Sequence, residues 1–134
     1  MEEQLISFEI AKLAKKKGFD TKVLNHYKGI ELINNGRPYN FNSVEEQVLW
    51  SIELTSAPTQ SILQRWLREV HGIDITVIPE WQKEKRVYYV GFSYINSSNK
   101  LDIFFSKDND VKVQYKTYEE ALEIGLQESL KLIP

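Results

Sequence analysis

The sequence predicts an α+β fold: a single domain built on an antiparallel sheet, with helices packed mainly on one of its faces. Three observations predict it. Pro58 to His71 and Thr117 to Ile133 carry apolar residues at helical spacing. Between them lie alternating runs joined by turn-rich tetrapeptides, the pattern of an antiparallel meander. The length of 134 residues suits one hydrophobic core and is short for two. Residues 1–134 are therefore read as one domain, with Ser7 to Ile133 as its structured body.

The first helix is expected over Phe8 to Lys17. Ser7 is a good N-cap, because its hydroxyl can accept from an amide left over in the first turn. Glu9 opens the segment and Lys15, Lys16 and Lys17 close it, so charge matches the helix dipole at both ends. Gly18 supplies the left-handed residue after the last turn, and Phe19 the hydrophobic contact that accompanies it. Lys22 to Asn34 reads as a hairpin turning at Lys28-Gly29, and Asn34-Asn35-Gly36-Arg37-Pro38 as a break. Residues 43–55 fit two templates. Ser43 to Glu46 resembles a capping box with a helical stripe at Val44, Val48 and Ile52, while Val48, Trp50, Ile52 and Leu54 alternate as in a strand. A short helix or irregular segment is the preferred reading.

Pro58 suits the first turn of the second helix, since its missing amide would be unpaired there anyway. Ile62, Leu63, Trp66, Leu67 and Val70 form the apolar stripe, opposite Gln64, Arg65, Arg68 and Glu69. Gly72 ends it. Ile73 to Val77 alternates as a half-buried strand, closed by Pro79. Three further strands follow over Val87 to Ile95, Leu101 to Ser106 and Val111 to Tyr115. In the first of these, Tyr88, Val90, Phe92 and Tyr94 share the face expected under the helices. On the other face, Tyr89 and Phe104, with Trp81 near the strand entry, either cover the back of the sheet against the first helix or the hairpin or stand exposed as a binding surface. Thr117 to Glu120 is a capping box for the last helix, which buries Ala121, Leu122, Gly125, Leu126, Ser129, Leu130 and Ile133. Gly125 costs about 1 kcal/mol against alanine in a helix. A close approach to the sheet would account for it.

Three blocks carry a resemblance. They are Ile6-Ser7-Phe8-Glu9-Ile10-Ala11-Lys12-Leu13 with Lys17-Gly18-Phe19-Asp20, then Ala57-Pro58-Thr59-Gln60-Ser61 with Trp66-Leu67-Arg68-Glu69-Val70-His71, and Thr117-Tyr118-Glu119-Glu120-Ala121-Leu122-Glu123. In this order they resemble small proteins of prophages and mobile elements in gut bacteria. The resemblance covers about a third of the chain and implies a phage or mobile-element setting. It brings no activity and no functional residue with it.

Composition narrows the chemistry. The absence of cysteine removes disulfides, thiolate metal sites and cysteine nucleophiles. No apolar run is long enough for a membrane span. With an N-terminus that lacks the basic flank of a signal peptide, this gives a cytoplasmic expectation. The net charge of −2 sets up no global attraction to nucleic acid. His71 closes a helix and complements its dipole, while His26 falls in the hairpin with a surface or pairing role. Neither has metal-ligand spacing. Asp108-Asn109-Asp110 starts like a calcium loop, but Val113 occupies the position that needs glycine, so a plain turn is expected. Glu45-Glu46 and Glu119-Glu120 sit in first turns, where negative charge is stabilising, and are not read as an acid–base pair. No phosphate loop, dinucleotide fingerprint or nucleophile elbow is present. The sequence thus points to no catalytic residue, no metal and no cofactor.

Two features point to binding. One is basic clustering, at Lys15, Lys16 and Lys17 and again at Lys83, Lys85 and Arg86. The other is aromatic density at Trp81, Tyr89 and Phe104. Together these nine residues form the candidate interaction surface. The expected function is a non-enzymatic interaction module whose partner is another protein. The alternative is a nucleic-acid binder using the basic helix end and the aromatic sheet face, and an enzyme with an unrecognised site ranks last.

Overall fold

A computed structural model describes residues 3–43, 52–95, 98–108 and 111–134. The chain is an α+β protein with antiparallel sheets. It divides into two compact units, Met1–Ile62 and Leu63–Pro134.

The first unit opens with helix α1 (Phe8–Lys16). The Ser7 hydroxyl accepts from the Ile10 N–H at 3.4 Å, as the N-cap reading requires. At the other end Gly18 adopts φ 91°, its N–H donates to the Lys15 carbonyl, and the Phe19 N–H donates to the Ala14 carbonyl. That pair of bonds is the Schellman closure, and it drives Phe19 into the core. Strands β1 (Val23–Lys28) and β2 (Glu31–Tyr39) form the hairpin, turning at Gly29-Ile30, one residue later than expected. The break expected at 34–38 is instead a bulge inside β2. The register jumps from Asn25 opposite Asn34 to Val23 opposite Tyr39, and the Asn34 side chain accepts from the Gly36 N–H at 2.8 Å. Strand β3 (Leu54–Ser56) pairs with the free side of β1. The hairpin thus belongs to a sheet of its own, in the order β2-β1-β3, because both edges of β1 are taken locally. Of the ambiguous segment, Phe41–Ser43 is one 3₁₀ turn and Leu54–Ser56 is strand, while residues 44–51, including Val44, Val48 and Trp50, lie outside the described residues.

Helix α2 (Gln60–His71) starts in the first unit and runs into the second. Pro58 precedes the helix and is not in its first turn; the cap is Thr59, whose hydroxyl accepts from the Ile62 N–H at 3.3 Å. In the second unit Leu63, Trp66 and Leu67 are buried, whereas Val70 is 60% exposed. The stripe is therefore narrower than the sequence predicts and ends one turn early.

The second unit is built on β4 (Asp74–Gln82), β5 (Lys85–Ile95) and β6 (Leu101–Phe105), in the order β4-β5-β6. Pro79 does not end its strand. Tyr88, opposite it, bonds through both backbone groups to Tyr115 on the far side of β5, so β4 and β5 do not bond at this pair. The proline nitrogen then points to the open edge, where no ladder bond is lost. A short hairpin, β7 (Lys107–Asp108) and β8 (Val111–Lys112), precedes Tyr115. The strand expected over Val111 to Tyr115 is thus two residues of β8 plus one bridge, and of the turn at Asp108-Asn109-Asp110 the last two residues lie outside the described ones.

Helix α3 (Tyr118–Lys131) is capped by Thr117, whose hydroxyl accepts from the Glu120 N–H at 3.1 Å. Every residue assigned to its buried face from sequence is buried. It packs on β4 and β5. A side chain at Gly125 would place its Cβ 2.6 Å from Val90 Cγ2 and 2.9 Å from Ile75 Cγ2. The helix therefore lies on the face of Ile75, Val90 and Phe92, as the alternation predicts. Only a residue without Cβ lets it come this close.

Candidate functional site

The β4–β5 hairpin closes through the two-residue loop Lys83-Glu84, since Gln82 pairs with Lys85. Lys83 takes φ 59°, a left-handed conformation that costs a non-glycine residue roughly 1–2 kcal/mol. This tight turn fixes the register beyond it. Trp81 stands directly opposite Arg86, and the period of two puts Tyr88 beside Arg86 on the same face. The Arg86 guanidinium lies 5.8 Å from the Trp81 ring centre and 5.4 Å from that of Tyr88. Both distances are within cation–π reach. Tyr88 in turn meets Tyr118, at the start of α3, edge to face at 6.3 Å. Four side chains from three elements thus make one row, beginning at Trp81, which is 68% exposed.

Of the nine sequence-chosen residues, the hairpin brings together Trp81, Lys83, Lys85 and Arg86. Lys83 and Lys85 are exposed at its tip. Tyr89 is on the opposite face of the sheet, opposite Ile78, and its hydroxyl accepts from Gln82 and from Gln114, each at 3.2 Å. Phe104 pairs in register with Phe92, an odd number of residues from Tyr89. The ladder therefore gives Tyr89 and Phe104 positions of opposite parity, which corrects the expectation of one shared face. Phe105, opposite Gly91, takes the Tyr89 side, and Lys112 lies 4.1 Å from the centre of its ring. On α1 the three lysines are not equivalent. Lys15 donates to the Leu54 carbonyl at 2.8 Å and pairs with Glu53 at 3.0 Å, so it is a structural tie within the first unit. Lys16 is exposed and Lys17 half-buried.

Sequence reasoning missed Tyr88 and Tyr118 as members of the row. Tyr88 shares its alternation with the core residues, and the signal that separates it is the hairpin register. Ending β4 at Pro79 hid that register; a turn at Lys83-Glu84 gives it at once.

Two other places hold chemistry. On the Tyr89 side of the second sheet, Thr76, Ile78, Gly91, Phe92, Ser93 and Phe105 line a shallow apolar concavity of about 220 Å³. It contains two hydroxyls and no ionisable group. In the first unit His26 is buried, not at the surface, and stacks on Phe41 with ring centres 4.1 Å apart. Its Nδ1 is buried without a partner. Burial, assisted by the nearby charge of Lys28, holds the His26 pKa below its ordinary 6.5. The neutral ring is therefore part of the folded core. Unfolding exposes a histidine that protonates more readily, so stability is fully present above about pH 7 and falls as pH drops below 6.5 toward the lowered folded value. Urea midpoints at pH 7.5, 6.5 and 5.5 should decline in that order. His26→Phe should flatten the decline, and a decline of unchanged slope would assign it to another group.

Among the described residues, no group of three or more His, Asp or Glu side chains is placed to hold a metal. No helix among them is long and apolar enough to cross a membrane. Comparisons with protein families, with curated proteins and with solved structures find no match for this chain.

Proposed function

We propose that this chain is a small non-enzymatic interaction module, of phage or mobile-element origin, that binds another protein through the Trp81–Arg86–Tyr88 end of its β4–β5 hairpin. The observation that carries the reading is the row itself. Tryptophan, arginine and tyrosine dominate the energetic centres of protein interfaces, and here they are adjacent, mutually supported and open at Trp81. Lys83 and Glu84, in the loop beside Trp81 and Arg86, give this end of the row exposed charge of both signs, as at an interface rim. A buried anchor would stack on Trp81 while Arg86 fixes the partner's orientation.

A nucleic-acid strand is the second reading, favoured by Trp81 as a stacking platform beside Lys83 and Arg86. It ranks lower because the net charge is −2 and Lys15, one of its helix-end cations, is already paired with Glu53.

The test places a photo-crosslinking residue, Lys83→p-benzoylphenylalanine, at the hairpin tip in cells expressing the protein. One discrete protein adduct is expected, lost on adding Trp81→Ala or Arg86→Ala and retained with Tyr89→Ala, which alters the other face. An adduct insensitive to Trp81 and Arg86, or one with nucleic acid alone, contradicts the reading.

A further inference from the structure

We infer that the hairpin site recognises an acidic peptide segment of its partner, with Arg86 as the residue that selects a carboxylate. This deepens the reading above and rests on it. Arg86 stands out for what it lacks. Among the described residues its side chain takes part in no ion pair and no hydrogen bond, although Glu80 and Glu84 are close in sequence. The register explains why Glu80 is not used. It is opposite Val87 and so shares the parity of Tyr89, whereas Arg86 shares that of Trp81 and Tyr88. Glu84 is in the loop. Among the hairpin positions of the Trp81 face from Pro79 to Tyr88, Arg86 is the one charge.

Its two ring contacts restrict where the guanidinium sits while engaging none of its N–H donors. A guanidinium has five such donors in a planar fork that matches a carboxylate in bidentate fashion. Held by aromatic rings, the fork loses less conformational freedom when it binds than a free arginine would. Lys83, in the loop, is exposed and without an ion pair among the described residues and adds positive potential at the tip, while Lys85 adds its charge from the Tyr89 side. The complement is an extended acidic segment with an aromatic or apolar residue to cover Trp81.

Three probes test this on the full chain: the capped peptide Ser-Glu-Phe-Glu-Ser, its counterpart Ser-Gln-Phe-Gln-Ser, and hexathymidylate. Binding is read by NMR at the Arg86 Nε–H and the Trp81 Nε1–H. The acidic peptide should shift both signals and saturate. The glutamine peptide should bind at least about tenfold more weakly, the usual scale for losing a charge-assisted pair. Arg86→Gln should abolish the preference with the remaining spectrum unchanged, and Arg86→Lys should recover only part of it. Equal binding of the two peptides overturns the carboxylate preference and leaves the protein-binding reading standing. No shift with either peptide overturns the acidic-segment inference, while the crosslinking test still decides the broader reading. Binding of hexathymidylate in place of the acidic peptide overturns both.

Discussion

Replacing Trp66 by alanine should lower stability by about 3–5 kcal/mol, the cost of removing a buried tryptophan and leaving part of its volume empty. Trp66 is 6% exposed and meets the ring of His71 edge to face at 4.6 Å. It is the largest side chain of the buried α2 stripe, between Leu63 and Leu67, which are wholly buried. With a urea m-value of about 1–3 kcal/mol/M for a chain of this size, the midpoint should fall by more than about 1 M. A midpoint that barely moves would mean that this face of α2 contributes little to the core.

Gly125→Val should cost about 3 kcal/mol, at the upper end of the range for forcing extra methyls into a packed site. The β-carbon alone would stand 2.6 Å from a methyl of Val90 and 2.9 Å from one of Ile75, and valine adds two methyls to it. Gly125→Ala sets the same clash against a gain of about 1 kcal/mol in helix propensity, so its loss should be smaller. The cause is checked by a double-mutant cycle with Val90→Ala, read by chemical denaturation. Removing the valine methyls makes room for the new Cβ, so the double variant should be more stable than the summed single effects predict. Strict additivity would place the strain elsewhere.

The ends of α1, the cap of α3 and the buried face of α3 were legible in the sequence because their causes are local. Ser7, Thr117 and Gly18 act on backbone groups within one turn, and the buried set of α3 follows from the 3.6-residue period alone. Gly125 was legible as a cost needing a reason, and Val90 and Ile75 are that reason. Less legible was anything that depends on register between strands. Pro79 reads as a terminator in isolation, and its tolerance comes from Tyr88 bonding to Tyr115 rather than to β4. The pairing of Phe104 with Phe92, which separates it from Tyr89, is set by where β6 begins its ladder at Leu101. That β1 and β2 form a sheet apart from β4, β5 and β6 follows from β3 closing the free edge of β1. Four of the nine candidate surface residues were brought together at the hairpin for the same reason in reverse: the Lys83-Glu84 loop is so short that proximity in sequence becomes proximity in space. Lys15 looked free because nothing in the sequence announces Glu53 and the Leu54 carbonyl as its partners.

The most direct test of the central claim compares the two faces of one hairpin. Affinity for the partner identified by crosslinking is measured for Trp81→Ala and for Tyr89→Ala, each confirmed as folded by its thermal transition. Trp81→Ala should weaken binding by about 30-fold or more, the scale of an interface hot spot, and Tyr89→Ala should leave it unchanged. A loss confined to Tyr89→Ala would move the binding surface to the opposite face of the sheet and contradict the account.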